Sequence, residues 1–162
     1  MNDFYATWSL IRGRFDDTVA GLNHEQLSFR LHEKALTLGE TILHVAGVEI
    51  WFIAQLKGET LPEHLQKVIL AATHGVVNDL PFPFQTAEIT PDLVYSILAE
   101  ARAYAEPSVK EPSDALLSAT IKSALGPIID GRGALARLAY HPGYHQGQAY
   151  LILTAPAFPS AK

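Results

Sequence analysis

The sequence predicts an all-α protein, a four-helix bundle with long crossover connections that forms a single domain over residues 1–162. Apolar residues recur at spacings of three and four in four long segments, and no segment has a convincing strand pattern. No linker, internal repeat or low-complexity tract divides the chain. Hydrophobic residues make up 48% of the chain and charged residues 18%, which predicts a folded core and excludes intrinsic disorder.

The first helix is predicted from Asp3 to Leu22, because its apolar residues follow a helical period and alternate with charged ones. These apolar positions are Phe4, Trp8, Ile11, Phe15, Val19 and Leu22. Gly21 and Asn23 are typical of a helix end, and residues 23–35 mix charged residues and histidines without a period. We expect that segment to be a surface connection.

The second helix is predicted to begin after Thr37, which forms a capping-box pattern with Glu40, and to end at Gly58. It is apolar over much of its circumference and should therefore be well buried. Residues Pro62–Thr73 are compatible with a short helix. Residues Asp79–Phe84 contain two prolines, which predicts an ordered loop over the core. This loop is also the one candidate for an apolar surface that binds another protein.

The third helix begins with Thr90 as cap and Pro91 at its first position, and Pro107 is predicted to end it. Residues Ser113–Leu125 fit either a short helix or an extended stretch. The fourth helix is predicted over about Ala134–Thr154, where Leu135, Leu138, His141, His145, Gln148 and Ile152 form one stripe that faces inward.

Charge and cysteine content exclude several classes of function. The net charge is 12 − 17 = −5 and there is no basic run, so neither nucleic acid nor an anionic membrane is an expected partner. The absence of cysteine excludes disulfides, thiolate metal sites and a cysteine nucleophile. No signal peptide pattern or long apolar span is present, which favours a soluble, cytoplasmic protein.

Three of the seven histidines lie where polar residues are unexpected. His141 and His145 are one helical turn apart on the inward stripe, and His44 lies within the most apolar helix. Taken singly, each fits a hydrogen-bonded core histidine, and the pair fits either a metal chelate or a hydrogen-bonded pair. Together, three imidazoles from two helices could supply a zinc, nickel or ferrous site with an open position. The remaining histidines, His24, His32, His64 and His74, are expected in solvent.

Proline at position 142 affects what the histidine pair can do. A zinc protease motif places a glutamate, the general base, directly after its first histidine. Pro142 stands there instead, which argues against a peptidase. Proline also disfavours helical dihedrals at His141. The chelate requires Pro142 to lie at a kink or at the start of a new helix, where one turn still separates the imidazoles.

The segment 141–148, His-Pro-Gly-Tyr-His-Gln-Gly-Gln, together with residues 38–49 around His44, resembles the DinB/YfiT-like superfamily. The resemblance extends over nearly the whole chain and implies a four-helix bundle that forms a homodimer. It implies that His44, His141 and His145 bind a divalent metal, usually zinc or nickel. Characterised relatives are thiol-dependent S-transferases and isomerases that use a low-molecular-weight thiol. Pro142 and Gln146 differ from residues common in the family.

The leading hypothesis is therefore a metal-dependent transferase acting on a small electrophilic substrate. A small-molecule hydrolase and a non-catalytic bundle that binds a metal or small ligand are the alternatives. No general base is evident. Glu49, about 140° around the helix from His44, is assigned to hydrogen bonding behind the site or to solvent, and Tyr144 and Gln148 are candidates to orient a ligand. The aromatic residues Trp8, Trp51 and Phe52 are expected in the core or a dimer interface.

Overall fold

The computed structural model describes residues 2–160, which are mostly helical. Four helices are long and the others are short. The elements are α1 Asp3–Thr18, α2 His24–Leu27, α3 Leu38–Lys57, α4 Glu63–Leu70, a 3-10 helix Thr86–Glu88, α5 Pro91–Lys110, α6 Asp114–Ser118, β1 Thr120–Lys122, β2 Ile128–Asp130 and α7 Gly131–Leu153. The predicted predominance of helix is confirmed.

Helix α3 is the central element of the core. Thr37 and Glu40 form the predicted capping box, and Gly58 ends the helix in the left-handed conformation at φ 64°. Most of its side chains are buried, as predicted. It packs against α5, α4 and α7, while α1 packs chiefly against α7. Because α3 and α7 are neighbours, side chains from the middle of both helices meet in the interior.

Helix α1 is shorter than predicted, ending at Thr18 rather than Leu22. Val19 and Leu22 remain buried, but they lie in the loop, and Gly21 turns the chain with φ 69°. The expected connection over residues 23–35 contains the short helix α2, which Asn23 and Gln26 cap reciprocally. Pattern reading missed α2 because a single turn has no measurable apolar period.

Pro107 does not end the third helix, which continues to Lys110. The proline lies in the last turn, where a missing N–H costs one hydrogen bond at most. Val109 is fully buried, and the Asn2 side chain donates to the carbonyls of Val109 (3.1 Å) and Lys110 (2.8 Å). Burial and this capping by α1's own N-cap residue stabilise the extra turn.

A short helix and a β-hairpin occupy the segment before α7, although no segment had a convincing strand pattern. Strands β1 and β2 pair antiparallel, with Ile121 opposite Ile129, and Gly126 at φ 105° permits the turn between them. Both alternatives for residues 113–125 therefore occur, a short helix followed by a strand. The hairpin leads directly into α7, whose N-cap Asp130 accepts from the Gly133 amide.

The connection between α3 and α5 agrees with the sequence interpretation. Helix α4 lies within the predicted range, and Asp79–Phe84 forms a loop. Phe84 is buried and Phe82 packs against the same core, whereas Leu80 is exposed. The loop therefore covers the core with its aromatic side chains.

Candidate metal centre

Three histidines from α3 and α7 converge with their Nε2 atoms. The Nε2 atom of His141 lies 3.1 Å from that of His44 and 3.1 Å from that of His145. The three rings meet edge to face, with centroids 4.5–4.9 Å apart. Among the described residues this is the group of histidine and acidic side chains whose geometry could hold a metal ion.

His44 is oriented by a backbone carbonyl. Its Nδ1–H donates to the carbonyl oxygen of Ala71, 2.8 Å away, at the end of α4. A neutral imidazole that donates through Nδ1 keeps the lone pair on Nε2, directed at the other two histidines. Gly47 permits this close packing, because a Cβ there would lie 2.6 Å from the carbonyl oxygen of Val68 in α4.

His141 and His145 both lie in α7, which runs without a break from Gly131 to Leu153 with Pro142 inside it. Of the two arrangements considered for Pro142, a new helix start does not occur, and one turn still separates the two imidazoles. Pro142 is buried and has no N–H to donate to the carbonyl of Leu138. The helix on either side, packed along α1 and α3, keeps the pair in register.

All three imidazoles are uncharged at neutral pH. Burial lowers the pKa of His44, and its hydrogen bond to Ala71 opposes that shift. Burial, followed by the neighbouring imidazoles, holds the pKa of His141 well below 6.5. Burial and His44 lower the pKa of His145 to about 3, although the nearby Gln148 side chain opposes the shift. Neutral imidazoles are the form that binds a metal.

The residues present fit a divalent metal. Two ligands about 2.05 Å from an ion at tetrahedral angles lie about 3.3 Å apart, close to the 3.1 Å that separates His141 from each of the other two histidines. The Nδ1 atoms of His141 and His145 are buried without a hydrogen-bond partner. The cluster is therefore not a fully satisfied hydrogen-bonded core group of the kind that polar residues normally form in protein interiors.

A pocket of about 470 Å³ opens onto the three histidines. Its walls are mainly apolar and come from α3, the end of α4, the following loop, the β-hairpin and α7. They include Val48, Trp51, Phe52, Ala72, Val76, Val77 and Leu125. Four other pockets formed by the described residues, of about 490–840 Å³, are more exposed to solvent, and none of them is lined by the three histidines. The pocket leaves one side of the histidine cluster accessible to a small molecule.

Of the three residues predicted to support the site, Tyr144, Gln148 and Glu49, one lines the pocket. Tyr144 lines the pocket, with its ring 5.0 Å from that of His145. Gln148 is exposed, which corrects its assignment to the inward stripe. Glu49 is fully buried and accepts from Trp8 Nε1 and Arg12 Nε, so it faces α1 and is absent from the pocket wall. Its carboxylate thus pairs α3 with α1, and none of these hydrogen bonds involves a histidine.

Aromatic and basic residues that the sequence did not assign to the site also line the pocket. Phe52 is buried in the core and Trp51 packs against it, as expected, and both also form part of the pocket wall; Trp8 is fully buried. Tyr140 and Arg137 complete the wall from α7. Arg137 is four residues before His141, and this spacing was the available signal, since residues four apart lie on one face of a helix.

The other histidines lie away from the cluster. His24, His32 and His64 are exposed, in agreement with the sequence interpretation, and His64 pairs with Glu100 at 2.9 Å. His74 is partly buried in the loop after α4. Within residues 2–160, no helix combines the length and hydropathy needed to cross a membrane.

Comparison with known proteins identifies the fold and no more. No protein-family model matches the sequence, and no characterised protein matches it. A crystal structure of a conserved protein from Enterococcus faecalis is similar, with a TM-score of 0.66 and 18% sequence identity over 92% of each chain. At this identity the likeness supports a shared fold.

Proposed function

We propose that the chain is a DinB/YfiT-like four-helix bundle whose His44, His141 and His145 hold one divalent metal, zinc or nickel. We propose further that it is an enzyme, a thiol-dependent transferase or isomerase acting on a small electrophile. The observation that carries the proposal is the convergence of three neutral Nε2 atoms beside an open pocket. The resemblance noted in the sequence also implies a homodimer.

The donor set suits catalysis better than a purely structural site. Three imidazoles leave a fourth position open, whereas structural zinc sites are closed by four protein ligands. A divalent metal there would supply charge that lowers the pKa of a thiol or water entering from the pocket. The apolar walls formed by Val48, Trp51 and Phe52 keep bulk water from the reacting groups.

The absence of an acidic side chain favours a thiol over water as the nucleophile. Among the described residues, neither aspartate nor glutamate lines the pocket, so it offers no carboxylate base. A thiol ionises near pH 8.5 and needs little help to form its anion at neutral pH. Water, with a pKa of about 15.7, needs much more. The chain contains no cysteine, so the thiol must be a separate small molecule.

Metal content tests the proposal. Tag-free protein is incubated with zinc or nickel, dialysed and measured by elemental analysis, and wild type is compared with His145→Ala, His44→Ala and the exposed control His64→Ala. We expect about one equivalent in wild type and His64→Ala and little in the other two variants. Circular dichroism melts establish that each variant is folded.

Activity then separates the enzyme classes. Metal-loaded protein is assayed for conjugation of a low-molecular-weight thiol with an electrophilic haloarene, and for hydrolysis of nitrophenyl esters. Thiol consumption that is lost in His145→Ala supports the transferase. Ester hydrolysis alone would favour a hydrolase, and bound metal without either reaction would favour a binding protein. Absence of metal from folded wild type after incubation would overturn the metal site.

A further inference from the structure

We propose that the pocket recognises a small molecule with an apolar body and a terminal carboxylate, and that Arg137 binds the carboxylate. This inference deepens the proposed function by naming the class of substrate, and it depends on that function for the reaction that follows binding. The recognition itself is a property of Arg137 and of the pocket wall, which metal-free protein also possesses.

Arg137 is the permanently charged side chain in the pocket wall. It is partly buried, and no acidic residue of the described chain lines the same pocket. None of the ion pairs among the described residues includes Arg137. A guanidinium in an apolar wall without an acidic partner favours an anionic ligand, in a protein whose net charge of −5 otherwise repels anions.

The β-hairpin holds the guanidinium in place. Arg137 Nη1 donates to Ser123 Oγ at 2.5 Å, and Ser123 is itself buried in the turn of the hairpin. The Ser123 amide donates to the Pro127 carbonyl at 3.0 Å, which fixes the backbone at this point. One guanidinium nitrogen is thus committed, and other N–H groups remain to bind an anion. A planar guanidinium fork matches a carboxylate in shape and charge.

The pocket also defines the rest of the ligand. Arg137 and His141 are four residues apart, so their backbone positions are separated by about 6 Å along α7. Trp51, Phe52 and Tyr140 line the space around them. A ligand with its carboxylate on Arg137 therefore lays its apolar part against these aromatic rings and directs its other end toward the histidines. One guanidinium suits a singly charged carboxylate better than a phosphate dianion.

Calorimetric titration of metal-free protein tests this assignment. The probes are 4-phenylbutyrate and the uncharged 4-phenylbutyramide, which share an apolar body. Wild type, Arg137→Gln and Arg137→Lys are compared with Arg132→Gln, an exposed arginine of α7 that does not line the pocket. We expect wild type and Arg132→Gln to bind the carboxylate about ten-fold more tightly than the amide. Arg137→Gln should lose this preference for the carboxylate while binding the amide as tightly as wild type does. Arg137→Lys should retain part of the preference.

Three outcomes would overturn the assignment: an undiminished preference in Arg137→Gln, an equal loss in Arg132→Gln, or no binding of either probe by folded wild type at millimolar concentration. Repeating the titrations with zinc-loaded wild type and His145→Ala separates the two proposals. A carboxylate preference that needs zinc and His145 but not Arg137 assigns the anion to the metal. An Arg137-dependent preference in a protein that takes up no zinc keeps the present assignment and rejects the metal site.

Discussion

Two groups of buried polar side chains share helix α3 and differ in how completely they are paired. One is the ion-pair cluster, formed by the buried Trp8, Arg12 and Glu49 with the partly exposed Asp16, and the other is the histidine cluster, formed by His44, His141 and His145. Arg12 Nε lies 3.0 Å from Glu49 Oε1, and Arg12 Nη2 donates to the Leu98 carbonyl at 2.7 Å. In the histidine cluster, two Nδ1 atoms have no partner.

This difference in pairing distinguishes a cluster that stabilises the fold from one that could bind a ligand. The ion-pair cluster satisfies its charged groups internally and links α1, α3 and α5, and Glu49 does not line the pocket beside the histidines. The histidine cluster leaves polar atoms unsatisfied and borders a cavity. Because the histidine cluster directs three imidazole nitrogens at one point beside a cavity, it is the better candidate for binding a ligand.

The largest expected effect comes from breaking the ion-pair cluster. Replacing Glu49 with leucine leaves Arg12 and the Trp8 N–H buried without their acceptor. We expect Glu49→Leu to reduce the free energy of unfolding by about 3–5 kcal/mol, measured by urea denaturation. Metal content per folded chain should stay unchanged, because Glu49 does not contact the histidines.

A matched double variant sharpens this prediction. Arg12→Met combined with Glu49→Leu removes both buried charges and should be more stable than Glu49→Leu alone. Glu111→Gln, at an exposed glutamate, controls for loss of one negative charge. If Glu49→Leu lost its metal while remaining folded, the separation between the two clusters would be wrong.

The second prediction concerns pH and the histidine cluster. The pKa of His145 is about 3 when the protein is folded and metal-free, against an ordinary value of 6.5. The unfolded chain therefore binds more protons below pH 6.5, and stability falls as pH decreases from 6.5 toward 3. Between pH 8 and pH 5, His145 alone should reduce the free energy of unfolding by about 2 kcal/mol.

Urea denaturation of chelator-treated protein at pH 8 and pH 5 measures this effect. His145→Gln should show a smaller loss of stability at pH 5 than wild type, because it lacks one buried imidazole. His64→Gln should behave like wild type, since His64 is exposed. Equal pH dependence in wild type and His145→Gln would contradict a buried, neutral His145.

Local signals in the sequence were enough to predict the long helices and the cluster of histidines. Apolar periods located α3 and α7, and Thr37 and Thr90 identified helix starts, because capping depends on residues only three positions apart. The one-turn spacing of His141 and His145 likewise predicted their juxtaposition. His44 was added by its position within an apolar helix and by resemblance.

Interactions between distant segments account for what sequence reasoning missed. Glu49 pairs with Arg12, 37 residues earlier, so its spacing from His44 could not reveal its partner. Ser123 reaches Arg137 only because the β-hairpin folds back onto α7. Its two strands have three residues each, too few for an alternating pattern to stand out. The extra turn after Pro107 depends on capping by Asn2.

The smallest expected effect tests how α4 supports the histidine cluster. A methyl group at Gly47 would lie 2.6 Å from the Val68 carbonyl oxygen and 3.2 Å from the Ala72 amide nitrogen. Gly47→Ala should therefore push α4 away from α3, move the Ala71 carbonyl that orients His44, and cost about 1–2 kcal/mol of stability. Zinc affinity should fall as well, because the group that fixes the His44 tautomer is displaced.

Gly13→Ala is the matched control, since a Cβ at Gly13 in α1 meets nothing within 4 Å. It should stabilise the protein by about 0.5–1 kcal/mol, because alanine has the higher helix propensity, and should leave zinc affinity unchanged. Competition with a chromogenic chelator measures the affinity of both variants. A Gly47→Ala protein that is less stable but binds zinc as tightly as wild type would show that α4 contributes to packing alone. A loss of both stability and zinc affinity in Gly47→Ala would show that the Ala71 carbonyl supports the metal site as well as the packing.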